Sequence, residues 1–213
     1  KISRGEHIRV PPMNVNPESK TEKKWQANLT NKQIKDIQKA VIFKDDDILV
    51  LNKPRGLATQ GGNKVRFSVD SFGPYLKFES ENEPKIAHRL DKDTSGVLLM
   101  GRNDAATRYL TKMFREKTIK KTYLAFTAGA PKDEGGKINL PISKSTTGNI
   151  EKMIVGGSGA KEALTHYKII DKIRDKIALV ELTPITGRTH QLRVHMSEIG
   201  FPILGDGKYG GKD

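Results

Sequence analysis

The chain contains no cysteine among its 213 residues, which excludes disulfides and thiolate-bound metals and is compatible with a reducing cytoplasm, the expected compartment. No apolar run approaches the roughly 20 residues that a membrane-spanning helix requires, so no membrane partner is expected. The glycine-rich stretch from Gly56 to Gly62 lacks the Gly-Lys-Ser/Thr ending of a phosphate-binding loop and reads instead as a flexible loop able to cover a ligand. There is no internal repeat. No initiator Met or apolar leader precedes Lys1, which reads as a fragment or processed product.

What is abundant is positive charge. A formal net charge of +13 in a chain that is 35% hydrophobic describes a globular protein with a core and an attraction to polyanions, nucleic acid foremost. The charge is not spread evenly in chemical terms. In His88-Arg89-Leu90-Asp91-Lys92-Asp93-Thr94-Ser95-Gly96, charged and titratable groups crowd against the apolar run Val97 to Met100, which Gly96 and Gly101 bound like a strand buried on both faces. Placing charge against a core element is costly unless the groups pair or perform chemistry.

Elements read coarsely along the chain. Lys1 to Pro12 ends an alternating stretch on two prolines, and residues 13–40 form a polar linker, with Trp25 its one anchor, followed by a short helix capped by Asn31 and striped by Ile34, Ile37 and Val41. Val41 to Pro54 is a hairpin about the polar turn Lys44 to Asp47, and Ser68 to Phe78 contains a short helix. Asn103 or Asp104 caps a helix to about Lys117 with Leu110, Met113 and Phe114 inward. Lys120 to Phe126 alternates as a strand with Lys121, Tyr123 and Ala125 on one face. Gly129 to Ala160 suggests short strands with long loops, and residues 161–184 a hairpin about Ile173-Arg174-Asp175. Thr186 to Gly200 reads as a helix with Leu192, Met196 and Ile199 on one side and His190, Arg193 and Ser197 opposite.

Three chemistries compete for these residues. Asp45, Asp46 and Asp47, or His88, Asp91, Asp93, His190 and His195, could suggest a metal. However, turn aspartates are normally solvated, and histidines five apart on a helix diverge by about 140°, so no metal is expected. Asp91 and Asp93 on an extended segment could act as an acid and base pair on a glycosidic bond. Equally, Asp93, Thr94 and Ser95 could simply organise a turn. Tyr123 could be core, and Arg193, Arg89 and Arg188 could be ordinary surface or structural cations.

The stretch His88 to Gly96 resembles the signature motif of the RluA family of pseudouridine synthases. So do Leu51-Asn52-Lys53-Pro54-Arg55-Gly56-Leu57, Lys120-Lys121-Thr122-Tyr123, and Thr186 to His195 extended by Pro202-Ile203-Leu204-Gly205-Asp206 and Tyr209, so that the resemblance runs over residues 41–211. It implies an α+β catalytic domain over 41–213, with a central, mainly antiparallel or mixed sheet flanked by helices and loops and an active cleft across the sheet. Residues 1–12 would be the remnant of a ribosomal-protein-like RNA-binding module, and further C-terminal strands would be missing.

It also implies a monomeric isomerase, without cofactor, acting on structured RNA and chiefly on large-subunit ribosomal RNA. Asp91 matches the catalytic aspartate, Tyr123 the active-site tyrosine, Arg193 the basic partner of that aspartate, and Arg89 an arginine linked to base displacement. His88, Arg188 and Lys53 join Arg89 as candidate substrate-binding residues, with His88 and His190 also read as hydrogen-bonders that position backbone, and Lys53 and Lys92 as contacts to phosphate or solvent.

The chemistry fits these groups. Isomerising uridine breaks the sugar–nitrogen bond, turns the uracil and rejoins it through carbon 5, which requires a carboxylate and a proton acceptor but no activated water. Arg193 would clamp Asp91 through charge-assisted hydrogen bonds, and Tyr123 would lie against the uracil. The stacked base must first be extruded, a task suited to arginine. Attack by Asp91 on the sugar, attack on the base, and elimination through a glycal all use the same residues. Two other classes remain open: a base-releasing glycosylase using Asp91 with Asp93, and a non-catalytic RNA-binding ribosome-assembly protein.

Overall fold

The computed structural model describes residues 29–62, 65–147 and 150–210. The expected terminal strand in residues 1–12 and most of the linker, Trp25 included, lie outside the described residues. The first helix, α1 (Asn31–Lys39), is capped by Thr30 rather than Asn31, because Thr30 and Gln33 form a reciprocal capping box. Ile37 is its buried anchor, while Val41 already belongs to the next strand.

That strand, β1 (Val41–Lys44), turns into β2 (Ile48–Lys53) as an antiparallel hairpin. Within the turn, Asp45 Oδ1 accepts from the backbone N–H of Asp47 and of Ile48, at 2.9 and 2.7 Å, so this aspartate closes the hairpin. A 3₁₀ turn (Val69–Phe72) and α2 (Gly73–Leu76) cover the hairpin before β3 (Lys85–Ile86) and β4 (Gly96–Gly101) complete a four-stranded antiparallel sheet in the order β1-β2-β4-β3. Leu49, Leu51, Leu98 and Met100 are fully buried on its core face, each contributing about 2 kcal/mol by removal from water. Val97 is 58% exposed, however, so β4 is buried on one face and not on both.

The helix α3 (Asp104–Arg115) starts at Asn103, whose side chain accepts from the Ala106 N–H. It crosses β4 at Gly101, where a Cβ would meet Thr107 Oγ1 at 2.3 Å, so glycine there is a matter of space.

A second four-stranded antiparallel sheet has the order β5-β10-β9-β6. It is formed by β5 (Tyr123–Ala128), β6 (Gly135–Asn139), β9 (Leu164–Ile173) and β10 (Ile177–Pro184). Between β6 and β9, a separate hairpin of β7 (Ile142–Thr147) and β8 (Ile150–Val155) replaces the long loops expected there. The helix α4 (Gln191–Glu198) packs Met196, with Leu192 and Ile199, against the second core, beside Val180 and Leu182.

The architecture is therefore α+β with antiparallel sheets, as expected, but hydrogen bonding divides it into two four-stranded sheets and a hairpin. Tyr123 packs against the cores of both larger sheets, so it marks their junction.

Candidate active site

Asp91 lies on the loop between β3 and β4, and this loop is held by its backbone. Thr59, itself buried, donates its hydroxyl to Leu90 O at 2.7 Å and accepts from the Leu90 N–H at 3.1 Å. The Gly56 N–H donates to Lys92 O at 2.8 Å, and the Thr94 N–H closes a turn onto Asp91 O at 3.1 Å. Asp93 is thus in a turn and exposed rather than extended beside Asp91. The loop leaves through Gly96 at φ +118°, where only glycine is at ease. The segment from Gly56 to Thr59, read from sequence as a mobile cover, is instead a bracket beneath Asp91, pinned further by the Val69 N–H on Ala58 O.

Lys53 departs most from expectation. It is fully buried, and its ammonium donates to the carbonyls of Pro54, Leu57 and Lys92 at 3.0, 2.8 and 3.3 Å, so it ties the bracket to the loop and faces neither phosphate nor solvent. Burial draws its pKa down to about 8 against the opposing pull of Asp93 and Asp91.

His88 also turns inward. Its ring stacks on Phe114 with centroids 4.0 Å apart, and Nε2 accepts from the Leu99 N–H at 2.9 Å, prolonging the ladder where the short β3 ends. Burial, helped by Lys121, lowers its pKa to about 4, so the ring is neutral at pH 7. Both residues support the loop rather than presenting a surface to a substrate.

The opposite wall is α4 with residues 202–209. The helix is shorter than the sequence pattern suggests, because His190 adopts φ +55° and interrupts it. Residues 186–190 form a loop locked by Gln191, whose Oε1 accepts from Thr186 Oγ1 and from the Arg188 N–H at 2.7 and 3.0 Å. Arg188 is exposed and donates through Nε to Glu162 O, while Arg89 is exposed at the Asp91 loop. His195 is buried, bridging Thr165 Oγ1 and Leu140 O at 2.9 Å each, and serves structure.

The polar residues His190, Arg193 and Ser197, of which His190 precedes α4, each meet the segment 206–209. Arg193 makes a two-pronged ion pair with Asp206, Nε to Oδ2 and Nη2 to Oδ1 at 2.7 Å each. Ser197 Oγ donates to Tyr209 O at 2.8 Å, and His190 Nδ1 lies 2.8 Å from the Tyr209 hydroxyl. Burial works to raise the Asp206 carboxyl, but hydrogen bonds from Arg193 and from the Lys208 and Tyr209 N–H groups hold it below its ordinary value. Arg55 Nη2 donates to Gly205 O at 2.7 Å, joining this wall to the bracket on the other side.

The two walls meet at Asp91 Oδ2, which is 3.7 Å from Arg193 Nη1 and 3.9 Å from His190 Nε2. The structure therefore brings Asp91 and Arg193 together, but Arg193 spends its fork on Asp206 and turns only its remaining nitrogen to Asp91. Tyr123 is close enough for the Asp91 charge to be felt. Burial first, and that charge second, push its hydroxyl above the ordinary value, so it is protonated at pH 7. Burial lowers the His190 pKa, outweighing the pull of Asp91, and leaves a neutral ring. Chemically, this is an accessible carboxylate with one arginine donor, a neutral imidazole and a protonated phenol around it.

Thr59, Asp206, Tyr209 and Arg55 had no assigned role in the sequence reading. The visible signal was a helix face of His190, Arg193 and Ser197 that required a polar partner, with Asp206 and Tyr209 the polar residues just beyond the helix stop.

The family described as RNA pseudouridylate synthase matches residues 47–198. The chain is 46% identical over 171 residues to ribosomal large subunit pseudouridine synthase C of Rickettsia bellii, an alignment covering 80% of this chain and 56% of that protein. It is 36% identical to RNA pseudouridine synthase 4, mitochondrial, of Arabidopsis thaliana, covering 97% of this chain and 48% of that one. Among solved structures, human RNA pseudouridylate synthase domain containing 4 superposes with a TM-score of 0.72 at 30% identity, over 84% of this chain and 72% of that chain. The chain spans about half the length of these curated relatives.

Proposed function

This chain belongs to the RNA pseudouridylate synthase family, and on that premise we propose that it isomerises uridine to pseudouridine in structured RNA, large-subunit ribosomal RNA foremost. The observation that carries the reading is the carboxylate of Asp91, held on a rigid loop within reach of Arg193 and beside Tyr123. In this proposal Asp91 is the catalytic carboxylate, Arg193 steadies its charge while anchored by Asp206, and Arg89, exposed on the Asp91 loop, handles the displaced base. Arg188 contributes cation to the RNA backbone.

The electrostatics give the steps an order. Burial first, and the charge of Asp91 second, hold Tyr123 protonated, so it enters the reaction as a proton donor. Once Asp91 is consumed in a covalent bond, its charge no longer opposes ionisation of the phenol, so Tyr123 can give its own proton to the nitrogen released from the sugar and, as a phenolate, then take the proton that leaves carbon 5. The nitrogen released from the sugar takes up a proton, so nothing is gained or lost overall.

No helix among the described residues is long and apolar enough to cross a bilayer. A monomeric enzyme acting in the cytoplasm without metal or cofactor, and a catalytic domain over 41–213 preceded by an RNA-binding segment and a linker, belong to the same proposal.

The test is incubation with uridine-containing ribosomal RNA, following base identity and RNA mass. Pseudouridine at unchanged mass is the expected result. Released uracil would instead mean a glycosylase, and binding with neither outcome a non-catalytic assembly protein.

A further inference from the structure

We propose that Tyr209 and His190 form a positioning relay that fixes the His190 tautomer with its Nε2–H directed at the Asp91 carboxylate. The inference rests on Asp91 being the catalytic group. Its starting point is β8, an edge strand of the two-stranded hairpin, whose Met153 N–H donates to the Tyr209 hydroxyl at 3.0 Å. Tyr209 is only 6% exposed. A buried hydroxyl that accepts one hydrogen bond still has a hydrogen of its own to place, and His190 Nδ1, at 2.8 Å, is in position to take it.

In the reverse arrangement Nδ1–H would donate to the hydroxyl, and the phenolic hydrogen would have no acceptor among the described residues, which costs about 1–3 kcal/mol for a buried group. The hydrogen therefore runs from Tyr209 to Nδ1. In a neutral ring the other nitrogen then carries the hydrogen. That nitrogen, Nε2, faces Asp91 Oδ2 at 3.9 Å, beside Arg193 Nη1 at 3.7 Å.

Neither distance is a hydrogen bond in the free enzyme, but a small movement of the Asp91 side chain on its anchored loop would make both, and catalytic hydrogen bonds are often long until substrate binds. Two donors on Oδ2 would leave Oδ1 as the reacting oxygen. The left-handed backbone of His190 and the edge-to-face packing of its ring on Tyr209, with centroids 5.5 Å apart, hold the ring in this direction. His190 and Tyr209 act here through Asp91 and not on the base, so they are positioning residues.

The relay has a spectroscopic signature. In the full chain labelled with ¹⁵N-histidine, long-range ¹⁵N–¹H correlations should show His190 with Nδ1 bare and Nε2 protonated, assigned by the signals lost in His190→Gln. Tyr209→Phe should convert this to a mixture, whereas Ser197→Ala, which loosens the same segment without touching the hydroxyl, should keep it. In single-turnover isomerisation of uridine-containing ribosomal RNA, Tyr209→Phe should slow the step about tenfold, the size of one lost hydrogen bond to a charged group, at an unchanged RNA dissociation constant.

A wild-type His190 protonated at Nδ1 would overturn the relay, whether or not the Phe variant folds. So would a Tyr209→Phe enzyme with the wild-type single-turnover rate. A wild-type chain that makes no pseudouridine would instead sink the proposed function, and the tautomer spectrum then decides the relay by itself.

Discussion

On the side of β2 and β4, the loop carrying Asp91 is gripped at its backbone by two buried groups, the Lys53 ammonium and the Thr59 hydroxyl, and its His88 end is tied to β4 through the neutral ring's bond from the Leu99 N–H. On the side of α4, the contacts are between side chains, with charge meeting charge in Arg193 and Asp206 and hydroxyl meeting imidazole in Tyr209 and His190. The first wall fixes where the carboxylate is. The second decides what surrounds it. A reaction carried by one carboxylate needs both, because a correctly placed Asp91 without its donors lacks charge stabilisation, and ordered donors facing a loose loop lack a target.

The largest expected effect falls on the group that both walls serve. Asp91→Asn should lower pseudouridine formation by on the order of a thousandfold or more while RNA binding survives, as measured by product analysis beside a binding titration. Normal residual turnover in that variant would remove Asp91 from the chemistry.

The second wall is tested by Asp206→Asn, which leaves Arg193 largely buried without its two-pronged partner. Denaturant unfolding should show a loss of about 4 kcal/mol, as for other broken buried pairs. An unchanged unfolding free energy would mean that Arg193 re-pairs with Asp91 and that the two carboxylates are interchangeable anchors.

The first wall should respond to pH. His88 titrates at about 4 in the folded chain against an ordinary 6.5, so between those values the unfolded chain binds the extra proton and stability falls as pH falls, by up to about 3 kcal/mol. Lys53, at about 8 against 10.5, makes stability rise as pH climbs through that interval. Unfolding free energies measured across pH should show both limbs, with His88→Gln flattening the acid limb and Lys53→Met the alkaline one. The smallest effect is expected for Thr59→Val, which strips both hydrogen bonds from Leu90 at nearly constant volume and should cost about 2 kcal/mol in thermal or denaturant unfolding.

The hairpins about Asp45 to Asp47 and Arg174, the helix starting at Asn103 or Asp104, and the face shared by Tyr123 and Ala125 were all legible from local pattern, because turn chemistry, capping and period-two alternation act over a few residues. Thr30 was missed as a cap because Asn31 is an equally good candidate until the Gln33 side chain is seen to reach back. The burial of Lys53 had no local signal at all. A lysine beside a proline reads as exposed, and only the convergence of three carbonyls from two distant segments makes its burial tolerable.

By itself, then, the sequence determined the family through its four motifs, with the antiparallel α+β character that this resemblance implies, and the polar and apolar faces of α4, since motifs and faces depend on residue order and spacing along one stretch of chain. Tertiary structure decided that Arg193 gives its fork to Asp206, that His88 and Lys53 support the loop from within, and that Tyr209 addresses His190. Those outcomes depend on which of several chemically suitable partners comes within about 3 Å, and that is set by how two sheets and a helix pack, not by any spacing along the chain.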